Sequence, residues 1–152
     1  MSALIAALMA ASVAPREATP VMICEVGRIA LRDLPPANRN RGYDSYYGVS
    51  SNDKDLLAVC PKLRSQVPTG YPMADDDARA RAEIHVPLPT NNPRPAFIYT
   101  IDIPQISDDL KTAVVRFEYS CTGLCGGIFE ARYVRAHKGW QRQGAMRMLV
   151  VS

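Results

Sequence analysis

Histidine, tryptophan and long apolar runs are what this chain has least of. The two histidines, His85 and His137, belong to no H-E-x-x-H or other metal-ligand spacing, so a pre-formed metalloprotease site is excluded. The uncharged apolar stretch from Ala3 to Ala14 is well short of the roughly 20 residues a transmembrane helix needs. No C-x-x-C redox motif occurs. Gly126-Gly127 is followed by neither Lys-Ser/Thr nor a helical pattern, so it is not a phosphate loop. Charge of one sign is also scarce: 18 basic against 15 acidic residues leave +3, with the arginines spread from Arg16 to Arg147 among acids. Dispersed arginine reads as solvated surface, not as a nucleic-acid track.

What is present is an ordinary folded composition. Hydrophobic residues make up 47% and charged residues 22% of the chain, which excludes global disorder. A length of 152 residues suits one core; two would each be too small. Twelve prolines and nine glycines favour turns and short strands over a helical bundle.

The run from Ala3 to Ala14 has the length and the small residues of a secretory signal core, with cleavage after Ser12 or Ala14. Residues 1–14 are therefore expected to be a signal peptide and residues 15–152 a single α+β domain, periplasmic or secreted, with no transmembrane segment after signal removal. The competing reading is a buried amino-terminal helix. Met22 and Ile23 before Cys24 are not the small residues of a lipid-attachment signal. The four cysteines lie beyond any cleavage point, and an even count in an exported chain reads as disulfide capacity with three pairings open.

Val21 to Leu34 fits a helical face through Val21, Ile23, Val26, Ile29, Ala30 and Leu34, stopped by Pro35-Pro36. Tyr43, Tyr46 and Tyr47 follow in a turn-rich stretch; they either form an aromatic recognition surface or fold onto the core with their hydroxyls outward. Ser50 or Ser51 is expected to cap a helix from Asp53 to about Arg64, divided at Pro61. A short helix is expected over Ala74 to Ala82, with Asp75, Asp76 and Asp77 in its first turn complementing the helix dipole; three aspartates can also ligate a cation. Alternation of Ile84, Val86 and Leu88 with Glu83, His85 and Pro87 predicts an edge strand. Phe97, Tyr99, Ile101 and Ile103 mark another strand.

The last third of the chain specifies its own register. Thr112 to Ser120 alternates, then Cys121-Thr-Gly-Leu-Cys125 turns into a strand from Ile128 to Ala136. If Cys121 faces Cys125, Phe117 falls opposite Phe129 and Arg116 opposite Glu130, each a favourable cross-strand pair. The next turn pairs His137 with Trp140, which sets Phe129 against Met148, Glu130 against Arg147 and Ala131 against Met146. One apolar face and one charge ladder result, and a slip of a single residue would destroy both. Trp140 is expected to be buried at the hairpin end.

Pro104, Ile106-Ser107-Asp108, Ala113-Val114, Cys121, Leu124-Cys125-Gly126-Gly127, Gly139-Trp140 and Val151-Ser152 together resemble the tail of a group of uncharacterised exported bacterial proteins. In that group a strand ends at a C-x-x-x-C-G turn, and a G-W turn precedes a last strand closing in Ser. The resemblance spans residues 96–152 and implies export and a fold, without implying a reaction.

The expected architecture is α+β: one or two short helices packed on a twisted antiparallel sheet, ending in a three-stranded meander. Cys121 and Cys125 are read as a structural disulfide, with redox and metal-ligand roles as the alternatives. No catalytic, cofactor-binding or metal-binding residue is assigned, and no cofactor is expected. The leading functional expectation is a small exported non-enzymatic domain that binds a protein or cell-envelope component, of inhibitor or immunity type, with Tyr43, Tyr46 and Tyr47 as the binding surface. The alternative is an envelope enzyme or thiol-redox protein with a site assembled around His85, beside Glu83, or around Cys121 and Cys125.

Overall fold

Thr19 starts the first element: its hydroxyl accepts the Met22 amide at 3.3 Å, and Pro20 occupies the first helical position, where a missing N–H costs nothing. This computed structural model describes residues 16–37, 42–49, 53–85, 94–123 and 125–151. The expected signal peptide, the serines at 50 and 51 and the outer part of the expected strand over Glu83 to Leu88 lie outside these residues.

Helix α1 is Pro20–Arg32, capped by Asp33 and ended by Pro35-Pro36 as expected. Met22, Val26, Gly27, Ala30 and Leu31 are its buried residues, whereas Val21 faces solvent and does not belong to the apolar stripe. Strand β1 is Asp44–Tyr47. The expected long helix after residue 50 is instead a single turn, α2, Leu56–Val59. Asp55, not a serine, caps it, accepting the Leu57 amide at 2.7 Å. Pro61 then opens a 3-10 helix, Pro61–Gln66, which is how the proline divides the segment. Helix α3 is Asp76–Ala82, capped by Asp75 through the Ala78 amide at 2.8 Å. Asp76 and Asp77 bridge to Arg79 and Arg81, so these aspartates act as a cap and as ion-pair partners.

Six further strands follow among the described residues: β2, Ala96–Ile101; β3, Gln105–Ile106; β4, Thr112–Cys121; β5, Cys125–Ala136; β6, Gly139–Arg142; and β7, Arg147–Val151. The sheet runs β1-β2-β4-β5-β6, with β3 beside β4 and β7 beside β5. The fold is α+β. The sheet is mixed and not purely antiparallel as expected, because β1 pairs in parallel with β2. Glu83 caps the end of α3 and His85 follows in irregular backbone, so neither sits on the strand the alternation suggested.

The hairpin register holds throughout β4 and β5: Phe117 faces Phe129, Arg116 faces Glu130 and Cys121 faces Cys125. The rings of Phe117 and Phe129 stack at 4.9 Å. The second turn differs by two residues. Ala136 pairs with Gly139 and Arg135 with Trp140, so the loop is His137-Lys138 rather than a His137–Trp140 pair. A two-residue slip keeps every side chain on its face, and Trp140 is buried as expected. Gly144, with φ +74°, lies in the irregular stretch between β6 and β7 that takes up the difference. Phe129 still meets Met148 and Glu130 still meets Arg147, while Met146 packs half-buried without pairing to Ala131.

Two cores flank the sheet. The larger joins α1, α2 and the 3-10 helix to one face through Val26, Leu31, Leu56, Tyr47, Phe117 and Tyr133. Cys24 on α1 pairs with Cys60 at the end of α2, with Cα atoms 5.6 Å apart. The Tyr133 hydroxyl donates to Asp33 Oδ2 at 2.8 Å and Arg142 reaches Asp33 Oδ1 at 3.3 Å, tying the end of α1 to β5 and β6. The smaller core sets Ala74, Ala78 and Ala82 against Ala96 and Ile98 on the opposite face.

Candidate functional site

Strand β1 forms one edge of the sheet, and its outer side is only partly paired. Tyr47 donates its amide to Pro72 at 2.9 Å and accepts the Ala74 amide at 2.8 Å. Asp44 and Gly48 donate in the other direction, to Pro95 and Tyr99 of the β2 side. Backbone groups of a strand alternate in direction, so Ser45 points its amide and carbonyl outward with Tyr47, beyond the end of the 72–74 pairing. There it lines a cleft of about 350 Å³ with Tyr43, Asp44, Tyr46, Pro72 and Arg94. A neighbouring hollow of about 510 Å³, walled by Arg32, Pro35, Pro36 and Tyr71, shares Ala37 and Gly70 with it. The Tyr71 hydroxyl donates to the Pro35 carbonyl and holds that wall together.

One arginine organises the cleft. Arg81, in the last turn of α3, reaches across to β1 with a side chain only 11% exposed. Its Nη2 donates to the Tyr46 hydroxyl at 2.7 Å, its Nη1 to Asp44 Oδ2 at 3.2 Å and to the Arg94 carbonyl at 2.5 Å. Its Nε meets Asp77 Oδ2 at 2.9 Å, and the guanidinium lies 5.6 Å from the Tyr46 ring centroid. Burial on its own would weaken the protonated form of Arg81, but the bonds to Tyr46 and Asp44 outweigh it and hold the guanidinium more firmly charged. Asp44 is shared: its Oδ1 takes Arg94 Nε at 2.9 Å. Arg94 Nη2 donates to the Tyr43 carbonyl at 3.2 Å. Tyr43 rests on Phe97 with ring centroids 4.4 Å apart.

The three tyrosines therefore divide. Tyr43 and Tyr46 are half-buried at the cleft, whereas Tyr47 is fully buried in the larger core. Burial first, and then the charge of Asp55, push the Tyr47 phenol far above its ordinary range, so it stays neutral. The cleft presents two phenolic rings, a half-exposed guanidinium, a carboxylate and a strand edge. Such a set recognises polar or extended ligands by hydrogen bonds and ring contact.

The other sequence-derived candidates lie elsewhere. Cys121 and Cys125 sit at disulfide distance, with Cα atoms 5.5 Å apart, at the end of the β4–β5 hairpin. That turn is docked: Thr122 donates its hydroxyl to the Arg81 carbonyl at 2.8 Å and accepts the Ala96 amide at 2.9 Å. His85 and Glu83 are both exposed beyond α3, and His137 is exposed in the β5–β6 turn. Arg81, Asp44 and Arg94 were not singled out from the sequence. The one local signal was the Asp77–Arg81 spacing, which says nothing of contacts 37 residues away. The chain matches no family of known proteins, no curated protein and no solved structure at a significant level.

Proposed function

We propose that the chain is a small exported domain with no reaction of its own, which binds another protein or a cell-envelope component through the β1 cleft, in the manner of an inhibitor or immunity protein. The observation that carries this reading is the grouping of Tyr43, Tyr46 and Arg94 around the outward edge of Ser45. Two cysteine pairs at disulfide distance support export. No helix among the described residues is long and apolar enough to cross a membrane. A periplasmic or secreted location is part of the proposal. An envelope enzyme built on His85, or a thiol-redox protein built on Cys121 and Cys125, draws less support. His85 stands exposed after a helix end, and Cys121 is 1% exposed within a docked turn.

A photo-crosslinking amino acid placed at Tyr43 tests the reading in cells that export the protein. The expected result is one discrete adduct, lost when Arg94→Glu is added and absent when the crosslinker is placed at exposed Val59 on α2. Equal adducts from both positions, or an adduct indifferent to Arg94→Glu, would overturn it.

A further inference from the structure

On the side away from β4, strand β5 has two partners, β6 at residues 133–136 and β7 at residues 127–130, and the ladder is interrupted between them. Arg132 lies in that gap. Arg135 donates its amide to Lys111 on the β4 side at 2.8 Å, so by the alternation of a strand Arg132 turns its own backbone groups the other way. Its carbonyl accepts the Gln143 amide at 2.7 Å, but its N–H meets no acceptor among the described residues. The gap opens into a hollow of about 360 Å³ lined by Glu130, Arg132, Gln143, Ala145 and Arg147. That is many times the ~10–15 Å³ a single water needs.

The charges around the hollow do not cancel. Glu130 is the one carboxylate among the described residues that line it, with a side chain 10% exposed. Both of its oxygens are already answered, Oε1 by Arg147 Nη2 at 3.4 Å and Oε2 by Arg116 Nε at 4.0 Å. Arg116 lies on the far side of Glu130, with Asp102 and Glu118 beside it, and its charge is met there. Arg147, 67% exposed, gives Glu130 one nitrogen and still lines the hollow. Arg132 is exposed and has no ion-pair partner among the described residues. Two guanidinium groups and a backbone N–H against one engaged carboxylate repel a cation and attract an oxyanion. The donors stand on the β5 backbone, on a β5 side chain and on a β7 side chain. A tetrahedral phosphate group has acceptors for all three directions, whereas a carboxylate has two oxygens in one plane.

We propose that the gap between β6 and β7 binds a phosphate group, held by the Arg132 N–H and by the guanidinium groups of Arg132 and Arg147, with Glu130 positioning Arg147. The site is separate from the β1 cleft and does not depend on it. The test titrates the ¹⁵N-labelled full chain with inorganic phosphate at fixed pH and ionic strength. Saturable shifts are expected in the Arg132 amide and in the Nε–H groups of Arg132 and Arg147. Arg132→Gln should weaken binding about tenfold or more, and so should Arg147→Gln. Arg135→Gln, on the opposite face of β5, should leave it unchanged. A matching response to acetate, an affinity indifferent to Arg132→Gln, or the absence of any saturable shift would overturn the proposal. Vesicles of phosphatidylglycerol distinguish the source of the phosphate. Sedimentation of the chain with them, abolished by Arg132→Gln, assigns a lipid headgroup, and phosphate binding without sedimentation assigns a soluble phosphate.

Discussion

Gly27→Ala should destabilise this protein, although alanine is the better helix former by about 0.8–1.0 kcal/mol. Gly27 lies inside α1 where the helix crosses α2. A Cβ added there would lie 2.4 Å from Leu56 Cδ1, 3.0 Å from Cδ2 and 3.2 Å from Cγ. Leu56 has no solvent to swing into, being fully buried. Nor can the helices part easily. Cys24, one turn before Gly27, is paired with Cys60, one turn after Leu56. Forcing a methyl group into such a contact costs about 1–3 kcal/mol through off-rotamer side chains and backbone shifts. Set against the propensity gain, the net loss is on the order of 1 kcal/mol, or roughly 2–4 °C in a chain of this size.

Urea denaturation measures this directly, with a lowered midpoint and an unchanged slope. The decisive control is Leu56→Ala, which on its own should cost about 2–5 kcal/mol. In that background the methyl group has room, so Gly27→Ala should become neutral or stabilising, and the two changes should be strongly non-additive. Reduction of the Cys24–Cys60 pair should likewise shrink the Gly27→Ala penalty. A higher midpoint for Gly27→Ala in the otherwise unaltered chain would refute the packing argument, since propensity alone would then be deciding.

The two cysteine pairs should differ in weight. By the chain-entropy relation, Cys24–Cys60, 36 residues apart, is worth about 4 kcal/mol, and Cys121–Cys125, four apart, about 2 kcal/mol. Melting of the two Cys→Ser double variants checks the order, and a larger loss for Cys121/Cys125 would contradict it. Asp102 offers a pH-dependent prediction, because desolvation and then Glu118 raise its carboxyl above the ordinary value. The folded chain then keeps a proton that the unfolded chain has already lost, so stability falls as pH rises through that window and the ionised group is a cost near neutral pH. Asp102→Asn should therefore raise the melting temperature near neutrality, with the gain vanishing well below about pH 3.9; a loss near neutrality would refute it.

The legible parts of this fold are those where two independent local signals had to agree. In β4 and β5, the cysteine turn and the alternation pointed to one register, and Phe117–Phe129 and Arg116–Glu130 follow from it. The second hairpin slipped by two residues, yet side-chain faces survived because strand periodicity is two. The stretch from Asp53 to Arg64 was misread for the opposite reason. Its apolar residues fit helical spacing, but Pro61 leaves room for only one α-turn before the chain tightens into 3-10 geometry. Alternation of Phe97, Tyr99 and Ile101 marks strand β2, but nothing local shows that α3 covers its second face through Ala96 and Ile98. The candidate cleft was half-visible. Tyr43 and Tyr46 stand out in the sequence, but Arg81 does not, and its reach to Asp44 and Tyr46 is a long-range fact of the fold.

The mismatch at β7 is of another kind. The register placed Met148 on the apolar face beside Phe129, and the pairing is as expected. Yet Phe129 is buried at 6% while Met148 is half exposed. The pattern is right, but among the described residues no helix covers it: α1 packs over β4 and β6 and α3 over β2 and β4. Local propensity, alternation and register agree on a strand with apolar sides, and only burial fails to follow. At β1 the edge is narrowed by the 72–74 segment and dressed with Tyr46, Asp44 and Arg94; at β7, among the described residues, Arg147 is the one charged side chain of the strand. The two edges are therefore chemically distinct, one lined by Tyr46, Asp44 and Arg94, the other apolar from Met148 to Val151.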